Sequence, residues 1–143
     1  MKKILKSCSI CLIIVAMLGT TVFAAQPADP QANSCIAKTT VSPVALGNGV
    51  IEVACGITGT GRMDKIGISR ITFYKADGTR LESHSYTEPG YEYLMGYNKS
   101  NHNAVVPFQC VPGESYYAIV GFYASKGNSS GGFQMESSVV VAK

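Results

Sequence analysis

The sequence predicts an all-β fold, an antiparallel β-sandwich of about seven strands, on three observations. Apolar and polar residues alternate with a period of two over most of the chain beyond residue 24. Glycine, proline, asparagine and aspartate punctuate it at intervals of roughly ten residues. Neither heptads nor a convincing amphipathic helical stripe follows the leader.

Residues 1–24 are expected to be a secretory signal peptide. Lys2, Lys3 and Lys6 precede an apolar run from Ile10 to Leu18, and Val22-Phe23-Ala24 places small side chains at the cleavage site. The run is shorter than the ~18 to 20 apolar residues that span a bilayer, which disfavours an anchor. Cys8 and Cys11 lack the small-residue box that lipid attachment needs. Residues 25–34, AQPADPQANS, form a flexible polar segment with two prolines, and residues 35–143 form the sandwich.

A first short strand is expected over Cys35–Val41, ended at Ser42-Pro43. Val50–Thr58 follows, with Ile51, Val53, Cys55 and Ile57 on its inward face. The glycine-rich TGTGRMD is then taken as a turn before a strand over Lys65–Lys75. In that strand Ile66 and Ile68 are out of phase with Ile71 and Phe73, and one extra residue near Ser69-Arg70, a β-bulge, reconciles them. Asp77-Gly78 predicts a hairpin turn into a polar edge strand, Leu81–Thr87. Ala104–Val111 turns Val106, Phe108 and Cys110 inward, with Pro107 outward. The next strand turns Tyr116, Ala118, Val120 and Phe122 inward, and KGNSSGG is expected to be a flexible connection into a last strand, Phe133–Ala142.

Removing the leader changes the charge. Of twelve lysines and arginines three lie in it, which leaves nine against nine acids and a net charge of zero for residues 25–143. That balance gives no electrostatic case for nucleic acid or an anionic membrane. Three cysteines remain, Cys35, Cys55 and Cys110, an odd number that allows one bridge and one free thiol or no bridge at all.

Pro112-Gly113-Glu114-Ser115-Tyr116 resembles the proline-glycine-x-x-tyrosine approach to the penultimate strand of fibronectin type III domains. The resemblance implies an immunoglobulin/fibronectin-III-like sandwich in which Tyr116 is the tyrosine corner, its ring in the core and its hydroxyl bonded to nearby backbone. Over most of the mature chain, TGTGRMDKIGISRITFYKADG, NKSNH and GESYYAIVGFYA resemble short secreted proteins of Gram-positive, clostridial-type bacteria catalogued as a domain of unknown function. This implies an extracellular or cell-envelope protein and supplies no catalytic residues. In a fibronectin-like order Cys55 and Cys110 face inward on neighbouring strands, so Cys55–Cys110 is the preferred bridge. Cys35–Cys55 and three reduced thiols are the alternatives.

In PGYEYLMGYNKSNH, Tyr91, Tyr93, Met95 and Tyr97 are spaced by two, a stripe on one strand face. A half-buried core face is the leading reading. An exposed platform for sugar rings or a protein partner is the second, weakened for sugars by the absence of tryptophan. His84 and His102 stand eighteen residues apart without a third histidine or cysteine at ligand spacing, so no metal and no other cofactor is expected. Neither a Gly-x-Ser-x-Gly elbow nor a His-Glu-x-x-His helix is present.

The function expected is therefore a secreted or cell-surface-associated bacterial binding module without enzymatic activity. Its partner is an extracellular protein or glycan, met through Tyr86, Tyr91, Tyr93, Tyr97 and His102. With no sortase-type signal or apolar C-terminal tail, release or retention by contacts alone is expected. The alternatives are a self-associating envelope protein that pairs strand edges and a cysteine-dependent hydrolase.

Overall fold

The computed structural model describes residues 34–143, so the expected signal peptide and all of the flexible segment before Ser34 lie outside the described residues. Seven strands follow in order: β1 (Ile36–Gly47), β2 (Val50–Lys75), β3 (Arg80–Ser85), β4 (Met95–Gln109), β5 (Ser115–Lys126), β6 (Ser129–Glu136) and β7 (Val140–Val141). A single 3-10 turn, Glu92–Leu94, precedes β4. The all-β class and the antiparallel strands are those the alternation predicts. Among the described residues no helix is long and apolar enough to cross a membrane.

All seven strands belong to one sheet because β2, with 26 residues, runs through both layers. Its first part pairs with β1 on one side and the second half of β4 on the other. Its later part pairs with β5 on one side and with the start of β4 and β3 on the other. β5 carries β6 and β7 on its far edge. The sheet curls so that Ile51, Val53 and Phe108 of one layer meet Phe73, Tyr116 and Ala118 of the other around a single small gap. These side chains leave water together, at roughly 25 cal/mol per Å² of apolar surface buried.

The expected last strand, Phe133–Ala142, is split into β6 and β7, and three further details depart from the expected elements, each for a local reason. TGTGRMD is not a turn between strands but a kink inside β2, where the β4 register slips between Thr58 and Met63. A side chain at Gly59 would stand 2.8 Å from Met63 Cγ and 3.0 Å from the Gly61 carbonyl, so glycine lets the strand arch over buried Met63. Second, β1 continues through Pro43 to Gly47. The Cys110 N–H donates to Gly49 O at 2.7 Å, which by alternation turns the N–H of Phe108 and Val106 toward β2 and the nitrogen of Pro107 away from it. Val53 thus spends its hydrogen bonds on β4, and Pro43 opposite it presents its nitrogen to the free edge. Neither proline costs a ladder bond, and each removes a donor from an open edge. Third, KGNSSGG is a tight hairpin with the ladder beginning at Lys126↔Ser129, pinned by the Gly127 N–H donating to Asp64 Oδ2 at 2.7 Å.

The bulge falls where the phase change requires it. Ile68 pairs with Phe122 and Arg70 with Gly121, leaving Ser69 as the extra residue, and Ile66, Ile68, Ile71 and Phe73 are all buried. The Asp77-Gly78 hairpin is also present, although only Gly78 takes a positive φ, +90°. Asp77 instead accepts the Thr79 N–H at 2.8 Å through Oδ1, and Gly78 N–H donates to Lys75 O.

Candidate functional site

Gly67 of β2 sets the position of the tyrosine-rich segment. With no side chain there, the backbone of Leu94 and Met95 lies directly on β2, with Leu94 buried in the core and Met95 buried on the face that also carries Tyr97. The strand begins only at Met95, so Met95 and Tyr97 share a face but Tyr91 and Tyr93 do not extend it. Tyr91 precedes the 3-10 turn, Tyr93 lies within it, and only Met95 and Tyr97 are on β4. The expected stripe is replaced by two clusters.

The first cluster surrounds His84. Its ring stacks on Tyr91 at 4.0 Å and 8°, and Tyr91 stacks on Tyr93 at 6.2 Å. Nε2 of His84 is 3.3 Å from Glu82 Oε1 and Nδ1 is 3.6 Å from Glu88 Oε2. Burial, followed by the charges of Glu82 and Glu88, raises the Tyr91 phenol above the ordinary tyrosine range. The Tyr93 hydroxyl donates to Val105 O at 3.4 Å, covering an outward carbonyl on the open edge of β4. His102 Nε2 lies 2.8 Å from the Tyr93 carbonyl, which only accepts, so Nε2 carries a proton and His102 holds the turn in place. Gly96 makes room for that ring, since a Cβ there would stand 2.7 Å from Nδ1.

The second cluster contains a residue the sequence reading did not single out. Lys65 lies directly opposite Tyr97 in the β2–β4 register. Its Nζ donates to the Tyr86 hydroxyl at 3.4 Å and stands 5.2 Å from the centre of the Tyr86 ring and 5.8 Å from that of Tyr97. The bond to Tyr86, then the charge of that phenol, hold the Lys65 ammonium above the usual lysine range. One cation thus orders two rings at little entropic cost. Tyr97 remains 54% exposed, an open aromatic face on a rigid strand. Lys65 and Tyr97 are paired by a ladder register that joins distant parts of the chain, and local spacing carries no trace of it.

The remaining expected residues lie elsewhere. The Tyr116 ring is buried, and its hydroxyl accepts the Val111 N–H and donates to Glu114 Oε2, both at 3.0 Å. Glu114 also meets Lys75 at 2.9 Å, and the bonds from Lys75 and then Tyr116 hold its carboxyl below the usual range.

The preferred Cys55–Cys110 bridge is absent, and Cys35, Cys55 and Cys110 are all free thiols. Cys55 faces Ala104 on β4, so Cys110 stands six residues further along, roughly 20 Å away at about 3.3 Å per residue, whereas a bridge needs Cα atoms within about 7 Å. The Cys35 carbonyl accepts from Thr60 N–H, five residues beyond Cys55 along β2, and the same argument excludes that pair.

Burial pushes the Cys55 thiol up to about 12. It raises the Cys110 thiol too, and the hydrogen bonds of all three sulfurs go to Ser34 or to backbone carbonyls, none to a histidine. Alkylation of the folded protein near pH 8 is expected to modify half-buried Cys110 well ahead of Cys35 and Cys55, followed by mass spectrometry. Because Cys55 is raised from 9.0, the stability it contributes is complete below that pH and is lost as pH rises toward about 12. The wild type is therefore expected to lose more of its thermal stability than Cys55→Ala across that window.

Among the described residues no three or more histidine, cysteine or carboxylate side chains converge as a metal site. No family model matches the chain, and no curated protein matches it at a significant level.

Proposed function

We propose that the protein is a secreted, non-enzymatic binding module that meets an extracellular glycan or glycoprotein through the platform formed by Tyr97, Tyr86 and Lys65. The observation that carries this reading is the half-exposed Tyr97 ring, held beside Lys65 on a strand rather than on a loop. An aromatic face presented rigidly to solvent gives a ligand apolar contact without ordering cost. Both histidines are committed to structural partners and the Cys55 thiol is held neutral, which speaks against the hydrolase reading. Assembly through paired edges is opposed by Pro43 and Pro107, which remove donors from the open edges of β1 and β4.

The test is retention of the mature protein on immobilised cell-wall glycans and glycoproteins. Tyr97→Ala combined with Tyr86→Ala is expected to weaken retention by at least roughly tenfold, at about 1–3 kcal/mol per lost stacking contact, with the circular dichroism unchanged. Retention that survives both substitutions places the site elsewhere. Concentration-dependent oligomers in size-exclusion chromatography, abolished by Leu81→Pro on the edge of β3, would favour self-assembly instead.

A further inference from the structure

Resting on that platform, we propose that its ligand is an anionic polysaccharide, gripped by a basic tip that adjoins the tyrosines. The net charge of zero over residues 25–143 conceals a segregation that the fold creates. The kink of β2 carries Arg62 and Lys65, the bend of β4 carries Lys99, and the end of β5 carries Lys126. The curl of the sheet gathers them: Lys99 pairs with Met63, and Lys126 Nζ lies 3.9 Å from where a Gly61 Cβ would stand.

Across the three segments that form this tip, 59–65, 97–101 and 125–129, the only carboxylate is Asp64, and its Oδ2 already accepts the Gly127 N–H. Among the described residues the only lysine or arginine paired with a carboxylate is Lys75, with Glu114, so Arg62, Lys65, Lys99 and Lys126 contact no acid side chain. Such uncompensated charge draws an anion from solution.

The lining selects among anions. Arg62 and Lys99 share an open concavity of about 430 Å³ with Asn98, Ser100 and Asn101. Amides and a hydroxyl both donate and accept, as sugar hydroxyls do, and Lys65 and Tyr97 on the neighbouring β2–β4 pairs offer a ring face beside them. Asn98 turns the chain there with φ +54°, a left-handed conformation asparagine tolerates better than most residues. Four cations spread over the tip suit a polymer with about one anion per sugar. A nucleic acid, with a phosphate on every nucleotide, is typically met by about 6–10 such contacts in a tight complex.

Titration of the mature protein with polygalacturonate, dextran sulfate, neutral dextran and a single-stranded oligodeoxynucleotide tests this. Polygalacturonate and the more densely charged dextran sulfate are both expected to bind, with affinity falling roughly a hundredfold between about 50 and 200 mM salt as the four cations release counterions. Arg62→Ala with Lys99→Ala should lower that affinity at least tenfold, and Arg80→Ala, opposite Tyr74 at the far end of β2 from the tip, should leave it unchanged. Neutral dextran bound as tightly as the charged polymers would overturn the anionic ligand while sparing the platform. Preference for the oligonucleotide would overturn the polysaccharide, and binding insensitive to Arg62, Lys99 and Tyr97 alike would overturn both readings.

Discussion

Replacing Phe108 with alanine is expected to lower the free energy of unfolding by about 3–5 kcal/mol, read as a fall in the urea midpoint with little change in slope. Phe108 stacks on Phe73 at 4.4 Å and 7° and meets Tyr116 edge-on at 5.7 Å and 70°. Phe73 lies in the later part of β2, Tyr116 on β5 and Phe108 on β4, so this one ring joins the two layers of the curled sheet. Its removal takes away apolar burial and two aromatic contacts, and rigid strands on both sides cannot close the space. A domain of this size has about 5–15 kcal/mol in total, so the variant would lose a large share of it. Val105→Ala, on the same strand but half-exposed on the outer face, is the control and should stay within about 0.5 kcal/mol of wild type. Equal effects of the two substitutions would mean that the layers are not joined through Phe108.

What local pattern determines was legible before any coordinates. Ile51, Val53, Cys55 and Ile57 all point inward because β2 alternates cleanly there, and the bulge at Ser69 follows from a phase change that only one extra residue resolves. What depends on distant pairing was not legible. A glycine that turns a chain and a glycine that lets a strand kink look alike, so the sequence around Gly59 and Gly61 predicts a turn where β2 in fact continues. Cys55 and Cys110 do lie on paired strands, but a ladder register cannot be read from either strand alone, and here it sets them far apart. The tyrosine stripe failed because period-two spacing presumes a strand, whereas the turn at Glu92–Leu94 rotates Leu94 into the core and splits the four residues. The candidate site suffered most, since Tyr86 and Tyr97 were visible as types but Lys65, which orders them, was not.

Gly67→Ala should both destabilise the fold and remove ligand binding without altering any residue proposed to touch the ligand. A methyl group on Gly67 would lie 2.3 Å from Leu94 O and 2.8 Å from Met95 Cα, and both neighbours are backbone, so neither can rotate aside. The 3-10 turn must lift off β2, drawing the fully buried Leu94 out of the core. Overpacking of this kind costs about 1–3 kcal/mol, and extraction of a leucine adds to it. Displacement of the turn carries Tyr93 away from its bonds with Val105 and His102 and strains the Lys65↔Tyr97 pairing two residues along. Heteronuclear NMR should therefore show shift changes concentrated over residues 91–102 and at Lys65, alongside lost glycan retention. Gly61→Ala is the matched control: its φ is ordinary and its nearest neighbour is the mobile end of Lys126 at 3.9 Å, so stability should be unchanged. Should Gly67→Ala bind as the wild type does, the close packing of the turn on β2 would not be what presents the tyrosines, and the link from glycine to platform would have to be given up.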